Sequence, residues 1–260
     1  SPYPAQRGGL NMIEVEFSTR RQTLHPERTK WPQVMFLGAH TDDDAMFRLT
    51  NKLAEQKIGV TIATLTNSDA RNINGYTHEQ LAGERWKEAI TSGGIGGVAE
   101  VRRLEVYDGL LHKYPRSGIA FAGEIIDEIQ PIALVTLHPE DQHSDHRTAY
   151  DVGVAVAGNK TPLYTTDTIN GRDRKDHPLQ PQLYIPLTEE IEEIERQTYL
   201  ANRTQVTNLP SDEMVDVENV LSMTQRRGKE SDTSLAAVLF KTENTSENPL
   251  EEILLYSNVT

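Results

Sequence analysis

Two short stretches of this chain concentrate the side chains that can hold a metal ion or move a proton. The first is Gly38-Ala39-His40-Thr41-Asp42-Asp43-Asp44, and the second is His138-Pro139-Glu140-Asp141-Gln142-His143-Ser144-Asp145-His146. The chain has no cysteine, which excludes disulfides, thiolate nucleophiles and Cys-based zinc sites. With only His, Asp and Glu available, two histidines and one aspartate make a workable zinc set that leaves a position open for water. Such a water can be ionised near neutral pH, or deprotonated by a nearby carboxylate, and can then attack an amide. That chemistry needs a carboxylate that does not ligate, and the first cluster has carboxylates to spare. A further histidine can stabilise the oxyanion that develops.

Each cluster directly follows a run that reads as a buried strand. Gln33–Ala39 is one continuous apolar stretch, and Ile132–Leu137 is another. Between them, residues 43–57 carry Met46, Leu49 and Leu53 at helical spacing, and Val60–Thr66 is a β-branched strand. A helix over 77–92, a short strand at 103–107 and a helix over 117–130 follow. Residues 144–157 are helical again. This alternation predicts an α/β fold, Rossmann-like, with a mostly parallel sheet and helices on both faces. Function in such sheets collects at the carboxyl ends of the strands, where both clusters lie. Later, Leu183–Ile185 reads as a strand, Thr188 caps a helix to about 200, and a helix spans 211–226. Ile253–Tyr256 reads as a last strand. A single domain, 1–260, is expected, with a core at about 33–205 and a C-terminal extension at 206–260.

A plainer reading competes. Asp42, Asp43 and Asp44 precede a helix, where carboxylates cap amides and favour the dipole, and taken alone this explanation leads by roughly two to one. The coincidence of two complementary clusters at corresponding strand ends weighs against it. Gly93, Gly94, Gly96 and Gly97 raise a nucleotide-binding alternative, but they follow a helix, whereas a dinucleotide fingerprint follows a strand.

Bulk composition narrows the field. The 260 residues carry a formal net charge of -13, which argues against nucleic-acid or anionic-membrane partners. Mean hydropathy is -0.55, and no stretch approaches the ~18 apolar residues of a membrane span. A cytoplasmic location is the default expectation.

At these two clusters the sequence resembles the LmbE-like, or PIG-L, family of zinc-dependent N-deacetylases. Its Ala-His-Pro-Asp-Asp-Glu signature is similar to Ala39-His40-Thr41-Asp42-Asp43-Asp44, and its His-x-Asp-His signature to His143-Ser144-Asp145-His146. The resemblance implies His40, Asp43 and His146 as zinc ligands, with other divalent metals also acceptable to such a set. It implies Asp42 as the general base acting on metal-bound water and His143 as the group that polarises the carbonyl or protonates the leaving amine. Asp145 is implied as the carboxylate that orients a histidine. Arg85 and Glu88 match an Arg-x-x-Glu pattern and Asp108 an acidic pocket position; all three are expected at the substrate, although an ion pair and a turn explain them equally well.

Departures from the pattern bear on the substrate. Thr41 stands for Pro and Asp44 for Glu, and the loop Asn67–Asn72 lacks the usual glycines. Asn202-Arg203-Thr204-Gln205 only loosely matches the family's His-x-Ser-Gln element. The implied activity is hydrolysis of an N-acetyl or other N-acyl group from an amino sugar or glycoconjugate. The alternatives are a metal-dependent amidase acting on a non-sugar N-acyl compound and a non-catalytic protein that retains the metal. Homo-oligomerisation is left open.

Overall fold

A computed structural model describes residues 17–43, 47–70, 75–167, 171–205, 217–243 and 249–256. Its frame is an eight-stranded sheet. The strands are β1 (Thr19–Thr23), β2 (Gln33–Gly38), β3 (Gly59–Thr66), β4 (Glu100–Val106), β5 (Ala133–Leu137), β6 (Leu163–Thr166), β7 (Leu183–Pro186) and β8 (Ala236–Lys241). They lie in the order β1-β4-β3-β2-β5-β6-β8-β7. The central five, β4-β3-β2-β5-β6, are parallel, while β1, β8 and β7 join antiparallel to their neighbours.

The described helices are α1 (Thr50–Glu55), α2 (His78–Ile95), α3 (Pro115–Ile129), α4 (Ser144–Ala157), α5 (Glu189–Ala201), α6 (Val217–Glu230) and α7 (Pro249–Glu251). They sandwich the sheet between two cores. Alternation along β2 sends Val34 and Phe36 into one core and Met35 and Leu37 into the other. Every residue of β2, β3 and β5 is buried, which is why these strands read as unbroken apolar or β-branched runs.

Strand order reverses between β2 and β5. The chain proceeds from β2 outward through β3 and β4, then returns to place β5 on the other side of β2. The gap this leaves at their carboxyl ends is the standard ligand crevice of open α/β sheets. Both clusters open onto it.

Several elements differ from expectation. The helix expected over 43–57 is helical only at Thr50–Glu55 among the described residues; Phe47–Leu49 form a turn, and Asp44 and Met46 lie outside the described residues. The helix expected over 77–92 runs on to Ile95 and takes Gly93 and Gly94 inside it, because Gly93 packs where a Cβ would meet Leu24 and Val101. It starts at a capping box between Thr77 and Gln80. The helix expected over 211–226 is seen from Val217 to Glu230, and 211–216 lie outside the described residues.

Ile253–Tyr256 is not a strand. It continues α7 as a helical turn, because Leu250 and Leu254, four residues apart, then face one core together. Strand β8, read in the sequence as nothing in particular, lies inside the sheet between β6 and β7. The C-terminal extension is thus woven into the same sheet as the core. Among the described residues no helix is long and apolar enough to cross a membrane.

Candidate metal site

The chain leaves β2 at Gly38 and turns sharply. Asp43 makes the turn: its Oδ2 accepts hydrogen bonds from the backbone N–H groups of Ala39 (2.6 Å) and His40 (2.8 Å). The carboxylate therefore reaches back to the strand end and does not cap the following helix. With Oδ2 occupied, Oδ1 is presented to the crevice, 3.0 Å from His146 Nε2 and 3.4 Å from His40 Nδ1. His146 sits in the first turns of α4, directly after β5, and its Nε2 is 3.2 Å from His40 Nδ1.

These three atoms form a triangle with edges of 3.0, 3.2 and 3.4 Å. An ion held by three ligands at about 2.0–2.1 Å in tetrahedral geometry sets their mutual separation at about 3.4 Å. Two ring nitrogens this close repel unless a proton or a cation lies between them. The donor set and its dimensions therefore fit a small divalent ion. His40 also belongs to three overlapping groups of potential ligands, with His143 and His146, with Asp42 and Asp43, and with Asp108 and Asp145.

A second layer of carboxylates holds the rings. His40 Nε2 lies 3.1 Å from Asp108 Oδ1 and 3.7 Å from Asp145 Oδ2. Asp145 is fully buried; its Oδ2 accepts from Gly109 N at 2.7 Å, while its Oδ1 has no hydrogen-bond partner among the described residues. His146 Nδ1 is 3.0 Å from Asp141 Oδ1, close enough to pair in charge though not aligned as a hydrogen bond. Carboxylates behind ligating histidines fix the tautomer and raise basicity.

The electrostatics follow from this crowding. Burial pulls the pKa of His40 down, but Asp108, Asp145 and Asp43 outweigh it and hold it well above the ordinary value. Burial likewise works against His146, which Asp43 and Asp141 push up to about 9. Asp43, though burial opposes it, is held well below the usual carboxylate range by His146 and His40. Asp108, against the same opposition from burial, falls to about 2 beside His40.

Asp42 sits beside this triangle, with a carboxylate oxygen within 4.8 Å of ligand atoms of His40 and Asp43. Burial raises its pKa, with His40 and Arg85 pulling the other way. His143 is the N-cap of α4, its Nδ1 accepting from Asp145 N at 3.2 Å. That bond leaves the proton of the neutral ring on Nε2. Its ring lies 4.7 Å from that of His40 and 4.8 Å from that of His146, centroid to centroid, and is solvent-exposed. Burial of part of the ring, and then the charges of His40 and His146, lower its pKa.

Arg85 and Glu88 are buried on α2 behind Asp42. Arg85 donates to the Ser68 carbonyl and to Thr204 Oγ1, and Glu88 accepts from Thr204 N (2.8 Å) and Thr204 Oγ1 (2.7 Å). Ser68 in turn accepts the Thr41 N–H at 2.9 Å. Four contributors escaped the sequence reading: Asp141, Ser68, Thr204 and Gln205. Asp141 was visible within the second cluster, but nothing in its spacing gave it a role. Thr204 and Gln205 stand in the weak four-residue match after α5, and the amide of Gln205, turned nitrogen-first, donates to both oxygens of Asp42.

Residues 35–157 match the family model described as PIG-L, GlcNAc-PI de-N-acetylase. No curated protein matches the chain in sequence. Among solved structures, the chain is similar to N,N'-diacetylchitobiose deacetylase from Pyrococcus horikoshii, at 15% identity and TM-score 0.68 over 91% of this chain and 92% of that one. Teicoplanin deacetylase Orf2, in a zinc-inhibited form, is similar at 14% identity and TM-score 0.65 over 81% and 99%. The 4-carboxy-2-hydroxymuconate hydratase GalB from Pseudomonas putida is similar at 15% identity and TM-score 0.62 over 84% and 99%. At such identities these likenesses establish the fold, and the fold hosts more than one reaction. Both signature clusters fall inside the matched segment, so the stretch that resembles the PIG-L (LmbE-like) family model is the one that builds the site.

Proposed function

We propose that this protein is a metal-dependent hydrolase that removes an N-acetyl or related N-acyl group from an amino-sugar-type substrate. The observation that carries the reading is the His40–Asp43–His146 triangle with a further carboxylate, Asp42, within reach of it. The family description and two structural neighbours named as deacetylases support the same reaction class. His40, Asp43 and His146 are the ligands in this reading, and their chemistry favours zinc. Bound there, the ion supplies Lewis acidity, polarising the amide carbonyl and acidifying a water.

The remaining work falls to the protein. Asp42 takes the proton from the attacking water, and its raised pKa makes it a stronger base than an exposed carboxylate. His143 offers its Nε2–H toward the crevice, where it can donate to the developing oxyanion and then to the departing nitrogen. A lowered pKa suits it to give up a proton near neutrality. Asp108 and Asp145 hold the His40 ring. The products are a carboxylate, acetate in the simplest case, and a free amine.

The test is metal analysis joined to an acetate-release assay over a panel of N-acetylated mono- and disaccharides. Zinc retained and acetate released support the reading, as does an Asp42→Ala variant that keeps zinc and loses turnover. A zinc-loaded protein that releases acetate from none of them overturns the amino-sugar assignment. One neighbour, the hydratase, favours a second reading in which the same site adds water to a carbon–carbon double bond. Turnover of a hydroxymuconate-type diacid without amide hydrolysis would select it.

A further inference from the structure

Behind the proposed base lies a buried frame that no part of the reaction uses directly. Segment Asn202–Gln205 follows α5 and crosses to α2, where both polar groups of Thr204 close on Glu88, at 2.8 Å from the backbone N–H and 2.7 Å from the hydroxyl. Gln205 N–H bonds back to the Asn202 carbonyl at 2.9 Å, which fixes the turn. Asn202, Thr204, Gln205 and Glu88 are all at most 8% exposed. The next side chain after Thr204 is therefore aimed from a rigid mount. It meets Asp42, with the amide nitrogen 2.9 Å from Oδ1 and closer still to Oδ2.

Asp42 needs such a partner. Its neighbour Asp43 is tied to two backbone N–H groups, whereas among the described residues Gln205 donates to the Asp42 carboxylate. A carboxylate next to a cation site has an obvious alternative, which is to swing in and ligate. His40, Asp42 and Asp43 can in fact offer ligand atoms to one point. An amide that donates to both carboxylate oxygens competes with an ion for their lone pairs, which opposes that swing and keeps the group available to water.

We infer that Gln205 is a positioning residue that holds Asp42 out of the metal's coordination sphere, with Glu88 and Thr204 as its mount. This rests on Asp42 being the base proposed above. It also gives Glu88 a task at the site without contact to substrate. A misplaced catalytic group costs on the order of 10²-fold in rate for a shift of about 1 Å.

The decisive variants are Gln205→Ala, Gln205→Glu and Thr204→Val. In the zinc-loaded protein, Gln205→Ala lowers kcat by about 10- to 100-fold while KM and melting temperature stay near wild type. Gln205→Glu, of equal size but repelling the carboxylate, loses at least as much, and Thr204→Val loses less. Zinc affinity, read by chelator competition, stays the same or tightens in Gln205→Ala because Asp42 is released toward the ion. A kcat within twofold of wild type, or a drop in kcat matched by a drop in zinc affinity, overturns the inference.

A second readout needs no turnover. In zinc-free protein the side-chain NH₂ resonances of Gln205, identified by their loss in Gln205→Ala, shift in Asp42→Ala. If they do not move, the contact is absent and the inference fails, whatever the substrate proves to be. If they move while the wild type hydrolyses no amide, the proposed reaction fails and the contact stands.

Discussion

His40 and His146, 106 residues apart in sequence, bring their ring nitrogens to 3.2 Å across the crevice between β2 and β5. Neither ring arrives by local structure alone. His40 is placed by the Asp43 turn at the end of one strand, and His146 by the start of α4 after the neighbouring strand. A contact this short between two nitrogen atoms, with a buried carboxylate oxygen completing the triangle, is a site whose ground state depends on what positive charge occupies it.

The first prediction concerns pH. An ion must displace the proton on His146, whose pKa in the metal-free site is about 9. Histidine ligates only when neutral, and His40 is also held well above its ordinary value, so apparent zinc affinity should rise with pH by more than tenfold per unit while both rings are protonated, and the contribution of His146 should end at about 9. Chelator competition across that range measures this. An affinity that does not change with pH would contradict the assignment of His146 as a ligand.

Asp145 is the deepest group behind His40, and its position predicts a metal phenotype without direct ligation. Asp145→Asn should weaken zinc binding by roughly 10- to 100-fold, the usual cost of losing a carboxylate behind a ligating histidine. The same variant should retain a cooperative melt, since Asn keeps an acceptor for Gly109 N. Unchanged zinc affinity would place the functional carboxylate elsewhere, with Asp108 the next to test.

His143 has two separable tasks, capping α4 and facing the crevice. Asparagine is a strong N-cap, so His143→Asn should preserve helix content and zinc. Turnover should nonetheless fall by about 10²–10⁴-fold, the typical contribution of a positioned acid. Circular dichroism, metal content and kcat, measured together, separate the tasks. Retained kcat would remove His143 from the chemistry.

A buried ionic group far from the reacting atoms predicts stability. Asp167 accepts from Arg48 at 3.3 Å and from Arg227 at 2.7 Å, and Glu195 accepts from Arg48 at 3.1 Å, with all four residues at most 1% exposed. Asp167→Ala leaves two buried guanidinium groups short of countercharge and should destabilise by about 3–5 kcal/mol. Urea unfolding reads it directly. A loss below about 1 kcal/mol would mean that water or another carboxylate takes over the role.

What could be read from the sequence follows the physics of each segment. β2 and β5 were legible because strands buried on both faces have no polar alternation to blur them, and α4 because its apolar spacing follows a capping residue. Both clusters could be located because they sit directly after those strands. The run Ile253–Tyr256 misled, since four consecutive apolar residues suit either structure, and only the burial of Leu250 with Leu254 selects the helix. Asp43 looked like a helix cap because local sequence cannot show a carboxylate folding back on its own strand. Gln205 stood in a loose four-residue match, but its partner is set by the meeting of α5's end with α2, and no periodicity encodes that meeting.

The placement of β8 has a consequence for how the molecule is made. Translation delivers β6 and β7 well before the strand that must lie between them, so a nascent chain lacking residues 236–241 leaves the edge of β6 open and β7 without its strand partner. Until Ala236–Lys241 arrives, the free edge of β6 is open to pairing with another chain, and only that last strand carries β7 into the sheet.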